Sequence, residues 1–152
     1  MLALACAAFI ACSSTSNSAP DKFVGTWTFG SGSLNAMCTG LPPFMSDLTG
    51  QTLTLMKGTS SDLVSTLTSS LGTCTLKLSV SGTVASAEAG QSCSFTVPVG
   101  GLSVPVTVNI NTWTVTTNDG VSMTTAATAT GSGGVADGCP VTLNGAGTKH
   151  EG

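Results

Sequence analysis

Few residues in this chain could do chemistry. Its one histidine is His150, beside Glu151. Nucleophilic catalysis needs a base within hydrogen-bond reach of a serine or cysteine, and no second histidine exists to supply it. Asp21, Asp47, Asp62, Glu88, Asp119 and Asp137 all fall in or beside turn signals, where an Asp side chain caps backbone N–H groups. Nothing in their spacing pairs two of them for glycosidase-type acid–base work. There is no phosphate loop, dinucleotide glycine motif, calcium loop or close metal-ligand pair. Residues 131–134 are glycine-rich in composition only. The residues therefore predict a non-catalytic chain with no cofactor and no metal.

Cysteine is the informative residue. Beyond Cys6 and Cys12, four remain: Cys38, Cys74, Cys93 and Cys139. Zinc would need clustered ligands with a close Cys or His pair, and these spacings are wide. An even count in an exported domain points to two disulfides, with three pairings possible. The favoured pairing is Cys74 with Cys93 and Cys38 with Cys139.

An exported domain is what the N-terminal stretch suggests. Residues 1–11 are almost wholly apolar, and residues 13–20 are Ser/Asn-rich and polar. The apolar run is too short to span a bilayer, which takes about 20 residues, and it reads as a secretory signal peptide. The seam Phe9-Ile10-Ala11-Cys12 resembles the lipobox of bacterial lipoproteins. That resemblance implies cleavage after Ala11 and lipidation of Cys12 with palmitate-type acyl chains. Ser13, where the inner-membrane retention signal has Asp, implies an outer-membrane lipoprotein facing the periplasm or the surface. An ordinary leader cut after Ala11 is the alternative, although bulky Phe9 fits the small-x-small cleavage rule poorly. Cys6 is a second match with too little apolar length before it. Residues 12–20 would then be a lipidated cysteine and flexible tether, and 21–150 a single domain.

What such a domain looks like follows from composition and periodicity. About 140 residues suffice to bury roughly two-thirds of the unfolded surface. Charged residues make up 7% of the chain, against about 25% in typical soluble domains. Four lysines, no arginine and seven acids give a net charge of −3, which excludes the basic footprint of a nucleic-acid partner. No helical stripe exceeds a few residues. Period-2 alternation recurs instead over residues 23–29, 52–56, 63–68, 74–80, 83–87, 92–99, 104–117, 121–130 and 140–146, separated by Gly/Ser turns. In the long segment Val104, Val106, Val108 and Ile110 share one parity while Trp113 and Val115 take the other. That change requires a bulge near Asn111-Thr112. Asn118-Asp119-Gly120 is a hairpin signal, and Pro98 points to an edge strand or bulge. Residues 34–50, with Pro42 and Pro43, read as the longest irregular connection. Leu41, Phe44 and Met45 would pack beneath it as satellite core or, less favoured, cap an open barrel end.

The pattern predicts an all-β domain, an antiparallel up-and-down meander closing into a barrel, with a β-sandwich as the alternative. Nine segments cannot close an antiparallel meander, which needs an even number. Eight strands are expected, and 83–87 is the least secure segment. A membrane-spanning barrel fits poorly, because most segments fall short of about 9–11 residues and aromatics are few.

Lys22-Phe23-x-Gly25-x-Trp27 resembles the first-strand signature of lipocalins. The resemblance implies an eight-stranded barrel with a ligand cavity, in which the Gly-x-Trp sits at the closed end beneath a late-chain arginine. Here Lys149 is the late cation that could stand in. The resulting expectation is a cell-envelope lipoprotein that takes a small hydrophobic ligand. The alternative is a structural lipoprotein with a solid core and a protein or glycan partner in the envelope. The sequence leaves the ligand-binding residues open.

Overall fold

The computed structural model describes residues 19–99 and 101–150. The leader, Cys6, Cys12 and residues up to 18 of the tether lie outside the described residues, as does Glu151. From Pro20 onward the chain is folded: the Phe23 amide donates to the Pro20 carbonyl (3.0 Å) and the Val24 amide to the Asp21 carbonyl (3.3 Å). The ordered turn thus includes the last residue assigned to the tether.

Ten strands follow: β1 (Gly25–Ala36), β2 (Phe44–Asp47), β3 (Thr52–Lys57), β4 (Leu63–Ser69), β5 (Gly72–Ser81), β6 (Val84–Ala87), β7 (Ser92–Val99), β8 (Leu102–Thr116), β9 (Ser122–Ser132) and β10 (Pro140–Lys149). A single 3-10 turn at Gly134–Ala136 is the one helical element among the described residues. All pairings are antiparallel, and β10 closes on β1 from Trp27↔Lys149 to Ala36↔Val141. The ten strands occupy eight positions around a closed barrel, because two positions are divided. The lower half of β1 pairs β3 and its upper half pairs β2. The lower half of β8 pairs β6, and its upper half pairs β7.

This resolves the odd count. Residues 83–87 contain a true strand, β6, that shares its position with β7. The irregular stretch expected over 34–50 is corrected at both ends: β1 runs on to Ala36, and Phe44–Asp47 forms β2. Pro42 and Pro43 precede β2 and so remove no ladder donor from it. Gly30 does not end β1. It is an extra residue, with the register shifting between Phe29 and Ser31. The bulge in β8 lies where the parity change requires it, between Ile110 and Thr112. Pro98 and Pro105 sit in the part of the β7–β8 hairpin that rises above its neighbours. The β8–β9 ladder starts only at Thr107↔Ser132, so neither proline deprives an adjoining strand of a partner.

Alternation places the core inside. Leu63, Ser65 and Leu67 on β4, and Cys74, Leu76 and Leu78 on β5, are buried, with the residues between them exposed or half-buried. On β9 Met123, Thr125, Ala127 and Ala129 point in, while Ser122, Thr124, Ala126 and Thr128 face out. β10 passes so close to β1 that a Cβ on Gly145 would lie 2.7 Å from the Phe29 ring and one on Gly147 2.6 Å from the Thr28 carbonyl oxygen. Residues without side chains at these points let the barrel shut tightly.

Candidate functional site

The interior is filled at one end and hollow at the other. At the closed end Phe23, Trp27, Phe29, Leu53, Leu55 and Leu78 are fully buried, joined by Trp113 and Met123. The turn before β1 crosses this end. Trp27 Nε1 donates to the Phe23 carbonyl (2.8 Å), fixing the indole beneath it. Lys149 covers the same ring, with its ammonium 5.0 Å from the Trp27 centroid and donating to the Lys22 carbonyl (3.0 Å). Gly25 makes room for that arrangement, since a Cβ there would lie 3.3 Å from the Lys149 side chain. Gly25, Trp27 and Lys149 therefore form one packed unit at the closed end.

Towards the other end the interior is not filled: Ala36, Ser46, Ser69, Val106, Val108 and Val141, with Leu34, Leu48 and Leu67, line an apolar cavity of about 450 Å³. That volume lies in the range of small-molecule sites, about 300–1,000 Å³. Phe44 on β2 and Phe95 on β7 flank it, and Leu41, Pro42 and Pro43 form part of its mouth. Leu41 and Phe44 thus belong to the open end and not to a satellite core. Met45 points outward and is 74% exposed.

One side of the upper wall is notched. β2 pairs β1 alone, while the β4–β5 hairpin ends lower, at Ser69↔Gly72. Above that turn the nearest walls are β2 on one flank and the β7–β8 hairpin on the other. Ser46 and Leu48, Ser69 and Leu71, and Val97 and Pro98 line the cavity along these three margins.

Both disulfides brace the cavity. Cys38–Cys139 ties the loop after β1 to the start of β10 at the mouth, and both residues line the cavity. Cys74–Cys93 bridges β5 and β7 where no backbone ladder joins them. Gln91 completes that seam: its Oε1 accepts from the Lys77 amide (2.7 Å) and its Nε2 donates to the Lys77 carbonyl (2.9 Å). Above, the Thr96 amide donates to the Leu71 carbonyl (3.0 Å). By loop entropy the crosslinks contribute about 3 and about 5 kcal/mol for the short and long loops.

The carboxylates are dispersed and serve the backbone. Asp47 accepts from the Thr49 amide and hydroxyl, and these bonds hold its carboxyl below the usual range. Asp62 accepts from the Val80 amide (2.7 Å), and Asp21 pairs with Lys57. Asp119 accepts from the Ser122 (2.8 Å) and Val121 (2.9 Å) amides. Those bonds, that from Ser122 foremost, lower its pKa to about 2. His150 is exposed, and its backbone amide donates to the Thr26 carbonyl. No group of three or more His, Cys, Asp or Glu positioned for a metal occurs among the described residues. The outer threonines pair across strands, as in Thr112 with Thr128 (2.7 Å), which is what strand-favouring residues on a wet face do.

The cavity residues carried one signal in the sequence. Inward positions of β8 shrink towards its tip, from Trp113 and Ile110 to Val108, Val106 and Val104, whereas a solid core would keep them large.

No protein-family model and no curated protein sequence matches the chain. Among solved structures it is similar to a "putative outer membrane protein" from Bacteroides fragilis, at 16% identity and a TM-score of 0.50. That match covers 86% of this chain and 52% of the other, so the chain spans about half the length of the Bacteroides protein. A protein of unknown function from Nostoc punctiforme, of the DUF3598 family, is similar at 10% identity and a TM-score of 0.43. At 16% identity the likeness to the Bacteroides fragilis protein is one of fold alone.

Proposed function

We propose that this chain is a cell-envelope lipoprotein, anchored through Cys12, whose non-catalytic barrel holds a small hydrophobic ligand in the hollow half of its interior. The observation that carries the reading is the apolar cavity of about 450 Å³, open at one end and walled by apolar side chains. A fold built for burial alone would fill that volume, because empty apolar space costs stability. The lipobox resemblance at Cys12 and the description of the Bacteroides fragilis protein support the envelope location. The barrel's exterior supports attachment to a membrane over insertion into one. Its outward residues on β8 and β9 are mostly Thr, Ser and Asn, with apolar residues inside, the reverse of a lipid-facing barrel.

The test is native mass spectrometry of the purified protein after exposure to envelope lipid extract. One small hydrophobic molecule retained per chain is expected, and a chain that emerges unliganded at every lipid concentration would contradict the reading.

A second reading, a structural lipoprotein with an envelope partner, draws on the exposed apolar residues around the mouth. Met37, Leu102 and Val135 are 64%, 72% and 52% exposed, and apolar clusters on a surface mark contact sites. Envelope cross-linking that recovers no partner counts against it.

A further inference from the structure

Resting on the ligand-site reading above, we propose that the cavity takes uncharged chain-like molecules and rejects the corresponding anions, and that the ligand's polar end lies in the notch beside Ser46 and Ser69. Among the described residues no ionisable side chain lines the cavity; apart from the disulfide, its side-chain polar groups are the hydroxyls of Ser46 and Ser69. The lysines all lie towards the closed end. Lys22 precedes β1, Lys57 and Lys149 end β3 and β10 there, and Lys77 sits in the lower half of β5. Among the described residues of the open-end loops the one ionisable group is Asp137, an acid. A carboxylate or phosphate drawn into this cup would lose its water and meet no cation, which is strongly unfavourable. A hydroxyl or ester loses far less, and a serine hydroxyl can donate to it or accept from it.

The placement of the polar end follows from the wall. The rest of the lining is apolar, and both hydroxyls belong to the notch, one on β2 and one at the head of the β4–β5 hairpin. Ser69 Oγ is engaged locally, donating to the Gly72 carbonyl (3.2 Å) and accepting from the Leu71 amide (3.2 Å), so towards a ligand it serves as an acceptor, and Ser46 is the hydroxyl placed to donate. A chain seated with its tail among Val106, Val108 and Val141 would leave its head between these serines and solvent, with no buried polar atom unpaired.

The experiment displaces a bound uncharged dye, Nile red, with 1-decanol and with decanoate at mildly alkaline pH. These differ at the head alone. In the wild-type protein decanol should displace at a concentration lower by about tenfold or more. Ser46→Lys should lower the decanoate concentration needed, relative to that of decanol, by about tenfold. Met56→Lys, which adds the same charge at the exposed closed-end terminus of β3, should change neither. Equal displacement by the two in wild-type protein overturns the inference and leaves the ligand-site reading standing. An equal gain from Met56→Lys overturns the placement of the polar end. If Nile red does not bind at all, the ligand-site reading falls and the inference falls with it.

Discussion

Lys149 does two jobs at the closed end: its ammonium covers the Trp27 ring and satisfies the Lys22 carbonyl. A cation over an indole contributes about 0.5–2 kcal/mol, depending on its solvation, and the added hydrogen bond about 1 kcal/mol. Lys149→Met keeps the apolar stem and removes both, so it should destabilise the domain by about 1–3 kcal/mol. Urea unfolding would show this as a lower midpoint at unchanged slope; a midpoint within error of wild type would mean that the lysine is only a solvated neighbour. The buried polar groups are less tidy. Ser65 Oγ and Trp113 Nε1 have no hydrogen-bond partner among the described residues, although the other tryptophan, Trp27, donates to the Phe23 carbonyl.

Among elements the β8–β9 hairpin shows how local chemistry fixes a register. Asp119 gathers the Val121 and Ser122 amides, and Gly120 takes φ of +73°, a conformation that side chains disfavour. Because folding lowers the Asp119 pKa from 3.8 to about 2, its contribution to stability is fully present above pH 4 and is lost as pH falls towards 2. Thermal unfolding followed from pH 5 to pH 2 should show a smaller loss of Tm for Asp119→Asn than for wild type. Parallel profiles would contradict the assignment. This hairpin was legible in the sequence, as were the β8 bulge and the parity of most strands, because turn residues and period-2 alternation act locally. The division of two barrel positions was not. Whether Phe44–Asp47 pairs depends on where β1 extends past Gly30, and whether β6 and β7 share a position depends on β8, fifteen residues long. Both are long-range choices with no short-range marker. The cavity lies in between: the residues lining β7 and β8 could be listed, but not the missing volume, which depends on what faces them across the barrel.

For the whole molecule, the distribution of size and charge is the informative feature. Trp27, Phe23, the four lysines and the turn before β1 gather at one end; the cavity and its disulfide-braced mouth lie at the other. A barrel stabilised by one filled half can keep its second half empty, and two crosslinks lessen the burden on the core. The lipocalin resemblance rested on six residues, and the geometry of Gly25, Trp27 and Lys149 gives those residues a physical reason independent of ancestry. The claim on which everything else depends is that the empty half is a binding site. Titration of Nile red into wild-type protein and into Val108→Trp, whose added ring would occupy the cavity, tests it most directly. Saturable one-to-one binding by the wild type, lost in a Val108→Trp variant that still unfolds cooperatively, is the predicted result; equal binding by both proteins, or none by the wild type, would contradict it.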